Sequence, residues 1–478
     1  MTSDAMILWA VYFFILSILG ILIGKAMTIL FKEGVVRIED KILRLLKIDA
    51  ISSMNWKEYL FAIIVFNLFG FIFLQVILMF QDWFPLNPEG KNGLPFWMAF
   101  NITSSFITNT NWQNYAGEST LSYFSQMMGL TVQNYLSAAT GVAVLIAFIR
   151  SLVKKEVSKI GNFWSDITHF TLRILLPLSF ILALFLIYQG VPQTFNSSVG
   201  IKTLEGKELK VPVGPVASQI AIKMNGTNGG GFYNANAAHP YENPTPLANF
   251  VQLVSILLIP VSCAFMLIFM LPRKKDGLPI LGVMTVMLLI GVVLSYFAQK
   301  QGNPMVQMAF LEGTETRFSL AECSLWSVAT TAVSNGSVNC MHSSLSPLAQ
   351  MIALFNMMTG EVIFGGAGCG LYGMLLYVLM TVFLAGLMVG RTPEYLGKKI
   401  ESKEIICASF AFLAPGLLNL IFSAWALNYR LGLSSLSQWS IPSILDKKSY
   451  PLYPSVITTP LNPFSISFAT LPDLVASN

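Results

Sequence analysis

The chain has 478 residues, of which 54% are hydrophobic and only 11% are charged, with a mean hydropathy of +0.64. Soluble domains contain about 25% charged residues, so this composition excludes an ordinary soluble protein and predicts an integral membrane protein. The apolar runs are long and uniform, whereas barrel strands alternate over about ten residues. We therefore predict an all-α fold.

Eight membrane crossings are predicted in chain order, because each needs about 20 apolar residues. They lie near residues 7–30, 59–80, 124–149, 168–189, 248–271, 279–298, 348–390 and 404–426. The seventh is predicted as one broken crossing, since the apolar run 348–358 is too short to span and a polar segment follows it. The first run is too long for a signal peptide, and neither Lys nor Arg precedes it.

Basic residues are concentrated in alternate loops between these crossings. Examples are Lys32 after the first crossing, Arg150 after the third, Arg273 after the fifth and Arg391 after the seventh. The positive-inside rule places these loops in the cytoplasm and the N-terminus outside. The basic residues are therefore interpreted as topology signals, and no nucleic-acid partner is predicted.

Three of the outer loops contain a short apolar segment that leads into a turn of small polar residues. The segments begin near Pro95, Pro215 and Ala321. The turns recur roughly every 110 residues between flanking crossings, which indicates an internal repeat of helix, re-entrant pore loop and helix. We predict a membrane domain over residues 1–426 with pore loops near 95–120, 215–245 and 321–345.

The turns favour a site for a monovalent cation. Irregular backbone inside a bilayer persists only where it is buried in protein or lines a wet cavity, and rows of carbonyl oxygens can replace the hydration shell of potassium. A helix that ends at mid-membrane directs the negative end of its dipole inward. The turns contain no carboxylates, which disfavours a divalent ion. The alternative for the run Gly226–Gly231 is an ordinary glycine-rich turn.

Glu361 lies in the break of the seventh crossing. A charge in the bilayer costs about 2.5–3.5 kcal/mol on insertion scales, so a partner or water is expected beside it. We interpret Glu361 as part of the ion path or gate, and a structural hydrogen bond is the alternative.

Four motifs carry a family resemblance. Segments 108–113, 226–245, 360–370 and 390–399 closely resemble, in order, the potassium-binding subunit family (KdpA) of bacterial potassium-transporting ATPases. The resemblance covers about residues 1–425. It implies a fold from the superfamily of potassium transporters, with four membrane helix–pore loop–membrane helix units around a filter, of which three are recognisable here.

The resemblance also implies a functional setting. The chain would capture and translocate K⁺ in the bacterial inner membrane, without a catalytic site of its own. ATP and Mg²⁺ would act only on a P-type ATPase subunit, and two small accessory subunits would complete the complex.

Matched position by position, the resemblance implies two sets of site residues. The potassium filter backbone would be Asn109, Thr110, Asn111, Thr227, Asn228, Gly229, Ser334, Asn335 and Gly336. The pore or gate residues would be Gln113, Gly230, Glu361, Gly365, Gly366 and Gly368. The loop 360–370 would block a straight, channel-like exit.

The C-terminal region departs from the family pattern. A fourth pore loop with further crossings is expected, but residues 427–478 are rich in Ser and Pro and contain no spanning apolar run. We predict an aberrant, disordered tail from a frame change or truncation, with a true divergent extension as the alternative. Three-quarters of a carbonyl ring cannot surround a dehydrated ion, so we expect little or no uptake by this chain.

Two other functions stay open at this point. The first is a stand-alone potassium channel or secondary transporter of the same superfamily. A more distant one is a membrane-bound enzyme, although the sequence has neither a phosphate-binding loop nor a metalloprotease motif.

Overall fold

A computed structural model describes residues 2–31, 39, 41, 43, 52–111, 113–154, 158–302 and 313–428. Most of this part is helical. The helices are α1 (Ser3–Leu30), α2 (Trp56–Met79), α3 (Phe96–Ile107), α4 (Ser125–Val153), α5 (Phe163–Tyr188), α6 (Val216–Asn225), α7 (Pro246–Met270), α8 (Leu278–Lys300), α9 (Leu320–Ala332), α10 (Pro347–Met358), α11 (Cys369–Val389) and α12 (Ser402–Asn428). Short π-helical stretches, Ser125–Thr131 and Thr171–Leu175, interrupt α4 and α5, and single helical turns occur at Gly117–Thr120, Asn236–Ala238, Lys274–Asp276 and His342–Ser344.

Eight of these helices are long and apolar enough to cross a membrane, judged by length and composition. They are α1, α2, α4, α5, α7, α8, α11 and α12, and each overlaps one predicted crossing. The prediction of eight crossings is therefore confirmed. The seventh differs in detail, because α11 alone has 21 residues. At about 1.5 Å per residue that length suffices for a hydrocarbon core of about 30 Å.

Two short antiparallel hairpins depart from the all-α prediction. Strand β1 (Val199–Lys202) pairs with β2 (Glu208–Val211), and β3 (Glu394–Tyr395) pairs with β4 (Lys398–Lys399). All four residues of β1 are exposed, so the strand has no buried face. The sequence pattern misses such strands because no apolar alternation marks them.

Helix α7 forms the centre of the fold. In its most apolar window 83% of the residues are buried, compared with 56% or less in every other span of the described chain. It packs against α1, α4, α6, α8, α9 and α11. Gly24 permits the close approach of α1, since a Cβ there would lie 2.9 Å from the Ser262 carbonyl oxygen. Small residues at such crossings are typical of membrane helix packing.

Each short helix lies against the span that precedes it. Helix α3 packs on α2, α6 on α5 and α9 on α8. Pro95 and Pro215 immediately precede α3 and α6, and Ser319 begins α9 in a capping box with Glu322. In this capping box the two side chains accept hydrogen bonds from backbone N–H groups that have no partner within the helix.

The predicted tail at 427–478 lies outside the described residues, except for the last two residues of α12.

Candidate ion-binding site

The turns that follow α3, α6 and α9 have the same backbone hydrogen bond. In each turn the N–H of the middle residue donates to the carbonyl oxygen five residues earlier, at 2.9–3.0 Å. The pairs are Thr110 with Ser105, Asn228 with Lys223, and Asn335 with Thr330. This shared bond aligns the three turns residue by residue.

The turns also share a backbone conformation that few residues adopt. In each turn, the residues before and after the middle residue have positive φ. The angles are 62° at Asn109 and 52° at Asn111, 54° at Thr227 and 94° at Gly229, and 53° at Ser334 and 80° at Gly336. Positive φ is a genuine outlier for a β-branched residue such as threonine. Such strain persists where surroundings impose it, and it clusters at functional sites.

Direct contacts bring the three turns together. The Asn109 Nδ2 group donates to the Gly226 carbonyl oxygen at 3.3 Å, and Asn228 Nδ2 donates to Asn109 Oδ1. A Cβ atom built on Gly229 would lie 1.3 Å from the Asn335 carbonyl oxygen. The second turn therefore lies between the first and the third.

Several main-chain oxygens in these turns are buried without a protein partner. Thr227, Asn228 and Asn335 are 0% exposed, yet within the described ranges their carbonyl oxygens accept no hydrogen bond. Buried carbonyl groups are nearly always paired, so these three are oxygens that a cation could bind. The Gly229 oxygen differs, because Asn236 Nδ2 donates to it at 2.7 Å.

The loop 359–368 between α10 and α11 lies directly against the turns. Ala367 N–H donates to Thr227 Oγ1 at 2.8 Å, and Gly365 N–H donates to the Ala332 carbonyl oxygen at 3.3 Å. A Cβ built on Gly366 would be 3.5 Å from Thr227 Oγ1. Two of the predicted gate residues thus lie at the carboxyl ends of α6 and α9.

Gly368 joins the same loop to α4. Its φ is +85°, and an added Cβ would lie 2.4 Å from the Gly141 carbonyl oxygen. Only glycine fits this close approach with that backbone conformation.

Glu361 lies beside the third turn. Its carboxylate accepts a hydrogen bond from Cys369 Sγ at 3.3 Å and interacts with the Ser334 hydroxyl. The partner expected for this carboxylate is therefore present in the described structure.

Gln113 and Gly230 connect the first turn to the second. Gln113 Nε2 donates to the Gly231 carbonyl oxygen at 2.9 Å, and Gly231 N–H donates to Gln113 Oε1 at 3.0 Å. A Cβ on Gly230 would lie 3.2 Å from the Asn111 carbonyl oxygen. The Gln113 side chain therefore holds the backbone of Gly231, and the backbone of Gly230 packs closely against that of Asn111.

Polar residues of α4 support the first two turns and were not among the predicted site residues. Ser137 Oγ donates to Asn109 Oδ1 at 2.7 Å, and Asn228 Nδ2 donates to the Asn134 carbonyl oxygen at 3.2 Å. Amides and hydroxyls inside an apolar span are a signal that could have identified them.

His239 is part of the wall behind the second turn. Its ring stacks on Tyr233 with centroids 3.9 Å apart and an interplanar angle of 7°. Burial lowers the pKa of this histidine. A neutral, stacked ring indicates a packing role.

The described residues enclose the second turn more completely than they enclose the first and third turns. Ser334 and Gly336 are partly exposed, as are Asn109 and Thr110, whereas 226–231 are buried. A Cβ built on Gly336 would have no neighbour within 4 Å.

We expect Thr227→Val to release the loop 359–368 from the second turn. Valine keeps the β-branched shape and the backbone strain but leaves the buried Ala367 N–H without its acceptor, a loss of about 1–3 kcal/mol. Accelerated hydrogen exchange over 359–368 would show the release. Thr227→Ser retains the hydroxyl and is the control, so equal exchange in both variants would contradict the prediction.

The described fold has a counterpart among solved membrane proteins. It is similar to the crystal structure of the potassium transporter TrkH from Vibrio parahaemolyticus, with a TM-score of 0.53 over 99% of this chain and 96% of that chain. Sequence identity is 12%, so the likeness concerns the fold alone. The predicted fold class is confirmed.

Sequence relatives then specify the family. Residues 6–444 match KdpA, the potassium-transporting ATPase A subunit, and the chain belongs to this family, as predicted. Proteins named potassium-transporting ATPase potassium-binding subunit are 50% identical over 392 residues in Leptospira interrogans and 52% identical over 389 residues in Pseudomonas aeruginosa. These alignments cover 82% and 80% of this chain, and 70% and 69% of the relatives. A third, from Herpetosiphon aurantiacus, is 48% identical over 417 residues, covering 83% of this chain and 72% of the relative.

Proposed function

We propose that this chain is the potassium-binding and translocating subunit of an ATP-driven potassium uptake pump. The observation that carries the proposal is the set of buried, unpaired carbonyl oxygens in aligned turns at the ends of short helices. Neutral oxygens of this kind suit a monovalent cation, and the carboxyl ends of α3, α6 and α9 add favourable dipoles.

The filter consists of the main chain of the triplets 109–111, 227–229 and 334–336. Within it, Thr227, Asn228 and Asn335 present oxygens to K⁺, while the Gly229 oxygen is held by Asn236. The hydrogen bonds support this division of the nine residues inferred from sequence.

The loop 359–368 acts as the gate beneath the filter. Its hydrogen bonds to Thr227 and to the Ala332 carbonyl oxygen, which hold the loop against two of the turns, support this role. A straight exit is blocked there, so the ion leaves sideways toward a P-type ATPase partner. Glu361, beside Ser334, contributes its carboxylate to that path.

The partner subunit carries ATP and Mg²⁺, this chain has no catalytic site, and two small accessory subunits complete the assembly. The complex lies in the bacterial inner membrane with the N-terminus of this chain outside. Family membership and the names of the relatives support the ATPase partner, and the basic residues in alternate loops support the orientation.

Purification of the tagged full chain from membranes tests the proposal. We expect a P-type ATPase to co-purify, and K⁺ but not Na⁺ to stimulate its ATP hydrolysis once a polypeptide that completes the fourth side of the site is present. Purification without any ATPase, together with passive K⁺ flux in vesicles, would support the alternative of a stand-alone channel or secondary transporter.

A second prediction concerns the number of turns. Three turns leave the first and third partly open, so a fourth contribution has to come from outside the described residues for full coordination. Expressed without any completing polypeptide, the chain should support little or no growth on micromolar potassium in a strain lacking other uptake systems. Robust growth would show that residues 429–478 supply the missing side.

A further inference from the structure

A buried ion pair lies behind the second turn. Lys223 Nζ is 2.6 Å from Glu242 Oε2, and both side chains are 0% exposed. Burying two charges generally costs more than their attraction returns, so stability alone does not explain the pair. Ser105 and Thr330 are the equivalent residues in the other two short helices, so the charge is confined to the second unit.

The pair is connected to the filter backbone through one amide. Lys223 Nζ donates to Asn236 Oδ1 at 2.8 Å, and Asn236 Nδ2 donates to the Gly229 carbonyl oxygen at 2.7 Å. An ammonium group can only donate hydrogen bonds, so it fixes the oxygen end of the amide. The NH₂ end is thereby directed at Gly229.

The backbone of Lys223 serves the same region. Its carbonyl oxygen accepts hydrogen bonds from Asn228 N–H and from Asn335 Nδ2, both at 3.0 Å. The other oxygen of Glu242 accepts the Tyr233 N–H at 2.8 Å. The ion pair between Lys223 and Glu242 thus joins the two ends of segment 223–242 behind the proposed filter.

We propose that Lys223, Glu242 and Asn236 are positioning residues that hold the Gly229 peptide so that Thr227 and Asn228 present their oxygens to the ion. This inference rests on the proposed function. Gly229 begins a run of three glycines, the most freely rotating backbone in the turn, so its peptide needs an external clamp. Glu242 also neutralises the Lys223 ammonium, which would otherwise repel a cation in a site of low dielectric constant.

Hydrogen exchange and ion protection in the complex purified with the full chain test the clamp. With the fourth side of the site completed in that complex, we expect K⁺, and not Na⁺, to slow exchange over 226–237 in the wild type. Lys223→Met and Asn236→Ala should speed exchange there without K⁺ and lower apparent K⁺ affinity about tenfold, the effect of losing one charge-assisted hydrogen bond. The preference for K⁺ over Na⁺ should fall as well.

Two further variants separate geometry from charge. Glu242→Gln leaves the ammonium unneutralised and should lower K⁺ affinity more than Lys223→Met does. The double variant Lys223→Gln with Glu242→Gln keeps donors and acceptors without net charge and should restore the preference for K⁺.

Tyr59→Phe is the control, because it removes a buried hydrogen bond to Asp166, and the Tyr59 hydroxyl makes no hydrogen bond to the segment 223–242 in the described structure. It should leave exchange over 226–237 and the ion preference unchanged. If Lys223→Met and Asn236→Ala behave like this control, the clamp is overturned. If the wild type shows no K⁺ protection in a complex whose fourth side is completed, the proposed function fails instead, while the comparison of exchange rates without K⁺ still tests the clamp.

Discussion

Gly229→Ala is expected to abolish selective potassium binding. The added Cβ would lie 1.3 Å from the Asn335 carbonyl oxygen and 3.1 Å from the Gly336 Cα. Both obstacles are backbone atoms, so the second and third turns have to separate. The φ of +94° adds the strain of a left-handed conformation, and the combined loss is about 3 kcal/mol or more. Because the overlap falls between two sets of candidate ligand oxygens, the geometry of the proposed filter changes directly.

Binding of K⁺ and Na⁺ to the purified complex, followed by thermal protection, measures this effect. Gly206→Ala is the matched control, since its φ of +80° imposes similar strain, its Cβ would meet no atom within 4 Å, and it lies outside the proposed filter, between β1 and β2. We expect Gly206→Ala to destabilise modestly and to retain the preference for K⁺. An unchanged preference in Gly229→Ala would show that the filter lies elsewhere.

Asp166→Ala is expected to destabilise the fold by about 3–5 kcal/mol, the usual result of removing one partner of a buried pair. Arg150 and Asp166 form two hydrogen bonds at 2.7 and 2.9 Å, with side chains only 9% and 4% exposed. Tyr59 adds a third bond to the same carboxylate at 3.0 Å. The substitution removes the Asp166 carboxylate from a buried guanidinium where α2, α4 and α5 meet.

The yield of folded protein and the midpoint of detergent-induced unfolding measure this loss. Asp276→Ala is the control, because Arg273 in that pair is 78% exposed and exposed ion pairs contribute little. Equal effects of Asp166→Ala and Asp276→Ala would contradict the buried-pair account.

Much of the architecture follows from local sequence. Apolar runs of membrane-spanning length marked all eight long helices, because the bilayer imposes both length and composition on each one separately. The triplets proposed as the filter were matched to a family by short motifs, and 109–111, 227–229 and 334–336 share one backbone conformation. The hairpin Val199–Val211 was missed because a small exposed sheet needs no apolar alternation.

The determinants of the site that depend on distant residues could not be predicted. In the sequence, Lys223 is a single cation within an apolar helix. Its ion pair with Glu242, and its link to Gly229 through Asn236, form only after the segment folds back on itself. Likewise, nothing local shows that Gly229 touches Asn335, which lies more than a hundred residues away in the chain.

The amino-acid sequence alone established a helical membrane protein of the potassium-transporter class and the turns that mark its family, because hydropathy and glycine-rich motifs act over a few residues. The tertiary structure alone decided which carbonyl oxygens are unpaired and which are held, and that the loop 359–368 lies against Thr227. The reason is physical: hydrogen-bond partners of a buried backbone oxygen are set by the packing of separate units, not by the residue that carries it.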